Sequence, residues 1–250
     1  MLRRMLAVAA LLTLVAALPA TAKRIGGTQR ADRIVGTART DRILGFRGAD
    51  RILAGDGNDR VFGHGGNDRI NGNAGNDRLN GGRGRDRIEG DAGSDHVFGT
   101  GGADVISGGD AGDRLNGGAA GDRIDGDSGD DLLFGFGGAD TLVGGVGRDE
   151  LLGDAGNDRL EGGEGDDGIE GGAGDDVLVG GPGEDEFGIA PNPRDAPNER
   201  PGDRYGGGGD DRIEARDGEE DTINCGPGND TAIVDPVEDG VYDCEEVIES

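Results

Sequence analysis

The group in this sequence best placed to do chemistry is an aspartate that returns at every ninth position. The series is Asp32, Asp41, Asp50, Asp59, Asp68, Asp77, Asp86, Asp95, Asp104, Asp113, Asp122, Asp131, Asp140, Asp149, Asp158, Asp167, Asp176 and Asp185, eighteen units without a slip. Two residues after each aspartate the side chain is always apolar, from Ile34 and Ile43 to Leu178 and Phe187. Five residues before it stands glycine in every unit except that of Asp59, which has Ala54. Two residues before it stands glycine again, except at Arg30, Arg39, Ala111 and Ala120. Carboxylates at a fixed interval, with no histidine or cysteine keeping step, offer hard oxygen ligands and nothing softer.

Such a pattern prescribes the elements that position it. Each unit reads as a glycine-rich turn of six residues ending in Asp, followed by a strand of about three. Asn58, Asn67, Asn76, Asn157, Asp130, Asp166 and Asp175 precede the repeat aspartate, and Asn and Asp tolerate the left-handed region best after glycine. One inward apolar residue per short strand builds a core only if identical strands stack. A coil of two nine-residue halves does this, with strands about 4.8 Å apart in each of two parallel sheets. Eighteen units make about nine coils, roughly 43 Å long at that spacing.

Stacking brings aspartates of alternate units into columns: Asp50, Asp68 and Asp86 on one edge, Asp59, Asp77 and Asp95 on the other. Carboxylates repeated at about 5 Å repel one another unless a cation lies between them. Carboxylates and turn carbonyls together favour Ca²⁺ over zinc or copper, and flexible glycine turns favour it over Mg²⁺. The gaps in both columns accommodate roughly sixteen ions at most.

Composition agrees with this and excludes other classes. The chain has 56 glycines, 52 acidic residues against 25 Lys plus Arg, a net charge of −27, 32% apolar residues and no tryptophan. That is too little apolar bulk for an ordinary packed core, too little glycine for collagen, and the wrong charge for gripping phosphates, so no nucleic-acid partner is expected. The nine-residue register, in turn, excludes a disordered polyanion. Arg3 and Arg4, the apolar run Met5 to Leu18, and Ala20-Thr21-Ala22 have the layout of a secretory signal peptide over residues 1–22. The apolar run is too short to span a bilayer comfortably, so the mature chain is expected to start at Lys23 without a transmembrane segment. Arg3 and Arg4 leave with the leader, taking the charge from −27 to −29.

Segments such as Gly81-Gly82-Arg83-Gly84-Arg85-Asp86-Arg87-Ile88 and Gly171-Gly172-Ala173-Gly174-Asp175-Asp176-Val177-Leu178 follow G-G-x-G-x-D-x-U-x, where U is apolar. They resemble the RTX, or haemolysin-type, calcium-binding nonapeptide repeat, over about residues 27–188. The resemblance implies an all-β fold, a right-handed parallel β-roll (a β-solenoid) of about eighteen nonapeptide units with a short irregular C-terminal segment. It further implies Ca²⁺ held between adjacent turns by loop carbonyls and the unit aspartate, a role that falls on Asp50, Asp59, Asp68, Asp77, Asp86, Asp95, Asp104, Asp113, Asp122, Asp131, Asp140, Asp149, Asp158, Asp167, Asp176 and Asp185. Asp32 and Asp41 lack the glycine two residues earlier and are expected to cap the roll. Asp113 and Asp122 follow Ala111 and Ala120 and match less closely. An N-terminal leader departs from the C-terminal export signal typical of RTX toxins and proteases, so the repeat does not imply lysis.

Catalytic motifs are sparse. Gly126-Asp127-Ser128-Gly129-Asp130 is similar to the surroundings of a serine-protease nucleophile, but it falls in register as the turn before Asp131. The histidines, His64 and His96, belong to units of opposite columns, and neither is expected to serve Ser128 as a base. There is no H-E-x-x-H, and EF-hand spacing fails at Gly129. A non-enzymatic protein is therefore expected. Arginine follows the aspartate in ten units, from Arg33 to Arg159, and strand alternation turns it outward. It reads as a solvated face or as a stripe for cell-surface or matrix glycans. Outward Phe62, Phe98 and Phe134 recur at 36-residue steps and are placed to stack on one sheet face.

Residues 23–188 thus read as the roll and 189–210, with Pro191, Pro193, Pro197, Pro201 and Gly206 to Gly209, as a linker. Residues 211–250 read as degenerate repeats and a cap, with a disulfide between Cys225 and Cys244. The expected protein is secreted and extracellular, binds calcium, and folds or rigidifies on doing so.

Overall fold

The computed structural model describes residues 23–188, 207–208, 210–216, 222–225, 229–234, 240–242 and 244–249. The expected leader and nearly all of the linker lie outside the described residues. Every regular element among those described is a strand, from β1 (Arg24–Gly26) to β25 (Glu246–Glu249). The strands form two parallel sheets, one of thirteen strands and one of twelve. Up to Phe187 successive strands alternate between the sheets, and each pairs with the strand one coil away. Arg51 lies opposite Arg69, Ile52 opposite Ile70 and Leu53 opposite Asn71, a step of eighteen residues. The fold is the parallel β-roll that the nine-residue period predicts.

The strands are longer than expected. Arg51–Asp56, Arg60–Gly65 and Arg69–Ala74 each run six residues instead of about three. Backbone that repeats identically every eighteen residues bonds to its own copy whether or not it is fully extended, so half of each turn joins the ladder. Gly48 N–H, for example, donates to the Gly65 carbonyl at 2.9 Å.

Inside the roll, the apolar residue two after each aspartate is buried at every level from Ile34 to Phe187. Each fully buried Ile or Leu of this ladder contributes about 1.5–3 kcal/mol. The other inward position of the strand is glycine in most units, as at Gly63 and Gly72, so the core is one side chain wide per half-coil.

The described residues between 211 and 249 continue the ladder where an irregular segment was expected. Ile213 pairs in register with Leu178, Ile223 with Phe187, and Ala232 with Ile213, so both sheets continue past the linker. A coil takes any length of excursion at its corner provided the returning strand finds the open edge of the sheet. Cys225 and Cys244 form the expected disulfide, with Cα atoms 5.1 Å apart.

Candidate metal centre

The unit aspartate marks the corner where each strand begins, and there its side chain does backbone work. The Asp86 amide donates to Asp104 Oδ1 at 2.8 Å, and the Asp104 amide donates to Asp122 Oδ1 at 2.7 Å. The same bond links Asp59 to Asp77 and Asp77 to Asp95 on the opposite edge. The two columns inferred from the register therefore exist, and each carboxylate is fixed by one oxygen to the turn one coil earlier.

Its other oxygen is left without a donor. Oδ2 is buried and unbonded in Asp50, Asp59, Asp68, Asp77, Asp86, Asp95, Asp104, Asp113, Asp122, Asp131, Asp140, Asp149, Asp158, Asp167 and Asp176. Asp185 is buried in the same register and accepts the Asp167 amide through Oδ1. A buried carboxylate oxygen with no partner is costly, and a whole column of them points to something absent that bonds oxygen.

Backbone conformation explains why no local donor reaches Oδ2. Residues four and two before the aspartate both take positive φ, as at His64 (74°) and Gly66 (144°) before Asp68. Ala111 (72°) and Ala120 (83°) adopt the left-handed form despite their side chains, so Asp113 and Asp122 keep the geometry of the other units. Glycine five residues before the aspartate has a separate, steric purpose. A Cβ on Gly45 would stand 2.5 Å from Asp50 Oδ2 and 2.9 Å from the Gly63 carbonyl of the next turn. Carboxylate and carbonyl oxygens of adjacent turns thus converge over a bare Cα.

The first two units show the alternative. Thr28 and Thr37 replace the left-handed residue, and each closes on its own aspartate. Thr37 donates to Asp41 Oδ2 through its amide at 2.7 Å and its hydroxyl at 2.8 Å. Thr28 does the same to Asp32, at 2.6 and 2.9 Å. In both, protein donors fill the Oδ2 that is bare in the later units.

The electrostatics follow from burial. Removal from water is the largest influence on the column carboxylates and raises the pKa from the usual 3.8 to about 6 at Asp86, Asp95 and Asp104, and to about 8 at Asp113. The amide bond from the preceding turn opposes the rise, and repulsion from column neighbours adds to it at Asp113. The sequence suggested column repulsion as the main cost, but burial is the larger one.

Among the described residues no three His, Cys, Asp or Glu side chains converge as a metal cluster. A cation in these columns therefore has to be completed by main-chain carbonyls. That all-oxygen set, with its orphaned carboxylate oxygens, fits Ca²⁺.

Two carboxylates of the same kind went unassigned in the sequence. Asp211 accepts the Asp176 amide at 3.0 Å and Asp230 the Asp211 amide at 2.9 Å, and both leave a buried Oδ2 unbonded. The signal was present in Asp211-Arg212-Ile213, but the broken spacing after Phe187 hid its register. The residues before the aspartates also differ from expectation. They do not supply the left-handed positions; Asn58 and Asn67 instead accept the Asn76 and Arg85 amides one coil on, and so stitch the turns together.

The remaining sequence candidates lie apart. Ser128 donates to the Gly109 carbonyl at 3.2 Å, on the twelve-stranded sheet. Both histidines lie on the thirteen-stranded sheet but at its two edges, His64 late in Arg60–Gly65 beside Asp68 and His96 first in His96–Gly101 beside the Asp59 and Asp77 column. Phe62, Phe98 and Phe134 share one row but alternate with Asn80 and Asn116, so they do not stack on each other. Phe62 stacks on His64, with ring centroids 5.9 Å apart, and Phe134 meets Phe136 at a tilt, 5.8 Å between centroids. No helix among the described residues is long and apolar enough to cross a membrane.

No curated protein matches the chain. The family described as RTX calcium-binding nonapeptide repeat (4 copies) matches overlapping stretches from residue 26 to 187 and again over 205–232. The second stretch takes in Asp211 and Asp230, so the match extends to the coils beyond the linker. With most of its length so matched, the chain belongs to the RTX calcium-binding nonapeptide repeat family and is a calcium-binding repeat protein.

Proposed function

We propose that this chain is an exported, non-enzymatic protein that folds or rigidifies on binding extracellular calcium between its stacked turns. The observation that carries this reading is the column of buried, donorless Oδ2 atoms from Asp50 to Asp176. A stack of this kind lacks a partner for one oxygen at every level, and calcium supplies a hard cation there. The ligands are the sixteen aspartates from Asp50 to Asp185, with Asp211 and Asp230 added by the same geometry and turn carbonyls completing each set. At low free calcium the buried carboxylates keep the chain loose enough to export; outside, metal binding becomes folding free energy. Affinities of about 10⁻⁴ to 10⁻³ M suffice for an extracellular module. Far-UV circular dichroism during calcium titration of the mature chain tests this. The expected result is a cooperative rise of β signal with Ca²⁺ and not with Mg²⁺. Full β signal in chelator at neutral pH contradicts it.

A second reading, a calcium-stiffened spacer or adhesive surface protein, is favoured by one observation: the outward arginines of the thirteen-stranded sheet have no ion-pair partner among the described residues.

A further inference from the structure

The two sheets dispose of their outward charge differently. On the twelve-stranded sheet Arg87, Arg123 and Arg159 pair with Glu89, Asp125 and Glu161, each two residues on. On the thirteen-stranded sheet, the first seven strands, from Arg24–Gly26 to Leu132–Gly137, contain no aspartate or glutamate. Their register places Arg24, Arg42, Arg60, Arg78, His96 and Arg114 in one continuous row. The twelve-stranded sheet has a matching row, Arg33, Arg51, Arg69 and Arg87, but its strands interleave Asp56, Glu89 and Asp91, so in a chain of net charge −27 the thirteen-stranded face is the one with a long cationic strip free of carboxylates.

Aromatic rings run beside the row. Phe46, Phe62, Phe98, Phe134 and Phe136 all lie on this sheet, whereas Phe187 is buried in the core. Phe98 is 38% and Phe136 45% exposed, too open to be serving the core. Arg42 lies over the Phe62 ring and Arg114 over that of Phe134, 5.6 and 4.8 Å from the centroids, which holds the guanidinium groups beside flat apolar faces. An open groove lined by Phe46, Arg47, His64, Asn80, Arg83 and Thr100 lies beside the row, toward the other end of the same strands, and brings in the further cations Arg47 and Arg83.

We propose that this face binds an acidic polysaccharide, a linear chain of sugars bearing carboxylate or sulfate groups. Guanidinium forks match both anions, and aromatic faces stack on the apolar face of a sugar ring. Cations spaced by one strand step, about 4.8 Å, call for an anion that repeats, and an open groove suits a thin chain. A duplex or a membrane is broader than a single row of side chains. The proposal rests on the calcium-ordered roll, because only stacked turns align the arginines.

The test compares the full mature chain with two triple variants of equal charge change: R42S/R60S/R78S on this sheet, and R51S/R69S/R87S on the other. Binding to immobilised hyaluronan (carboxylate only) and dextran sulfate (sulfate only) is measured in calcium, with neutral dextran, single-stranded DNA and anionic phosphatidylglycerol vesicles as controls. Circular dichroism of each protein is recorded in parallel. We expect binding to at least one charged polysaccharide and none to dextran. The first variant loses about tenfold or more in affinity, the second about twofold or less, and all three proteins show the same calcium-induced fold. Equal loss in both variants, no binding to either polysaccharide, or equally tight binding to DNA or vesicles overturns the proposal. Binding that persists without calcium and still depends on the first set of arginines leaves this face standing and removes the calcium-folding reading instead.

Discussion

Acid should do part of calcium's work. Asp104 sits mid-stack, 2% exposed, with its pKa raised from 3.8 to about 6 chiefly by burial. A folded-state pKa above the unfolded one means that the folded chain holds the proton more tightly. Stability from this group is therefore complete below pH 3.8 and is lost as pH rises through about 6. At pH 8 the loss is about 3 kcal/mol, two pKa units and a little more at 1.36 kcal/mol each. That matches what one buried Leu or Ile of the ladder contributes, about 1.5–3 kcal/mol, so each coil without metal is close to balance before chain entropy is counted. Three such sites exceed the lower end of ordinary domain stability, about 5 kcal/mol. Calcium-stripped mature chain, followed by far-UV circular dichroism from pH 8 to pH 5, should gain β signal as the pH falls, over a broad range because the columns couple. Asp104→Asn, which removes the charge and keeps the shape, should raise the metal-free β signal at pH 8. A metal-free signal that is flat with pH, or that falls on acidification, refutes the reasoning.

Other perturbations separate the parts of the roll. Thr37→Val removes the hydroxyl bond to buried Asp41 Oδ2; thermal unfolding in calcium should show a loss of about 1 kcal/mol with no change in ion count. Ala120→Gly relieves a left-handed alanine at φ 83° and should raise the melting temperature in calcium, by up to about 1 kcal/mol of stability. Cys225→Ser with Cys244→Ser opens the 19-residue link and should cost about 3 kcal/mol. Hydrogen exchange should quicken in Arg212–Val234 while Arg51–Glu164 stays protected.

Much of this was legible in the sequence. One apolar side chain in nine residues buries itself only by stacking on its own copies, so Ile52, Ile70 and Ile88 together prescribe the parallel sheets and, with them, the aspartate columns. What escaped depends on details that the period does not carry. Glycines mark a turn without saying which amides it turns away from Asp68 Oδ2. Thr28 and Thr37 look like ordinary turn residues until their amide and hydroxyl are seen closing on Asp32 and Asp41. That His64 and His96 share a sheet, though they flank opposite columns, follows only from half of each turn belonging to the strand. Asp211 lies 35 residues after Asp176 where 18 is the rule, so linear spacing concealed a register that the sheet preserves.

The central claim is that the donorless oxygens of the two columns are calcium ligands, and counting ions tests it most directly. Native mass spectrometry of the mature chain at neutral pH, titrated with calcium, should show a loaded species with about sixteen ions. It should form with few intermediates and be absent when Mg²⁺ replaces Ca²⁺. A chain that carries only one or two calcium ions at saturation, or that takes up Mg²⁺ equally, contradicts the claim.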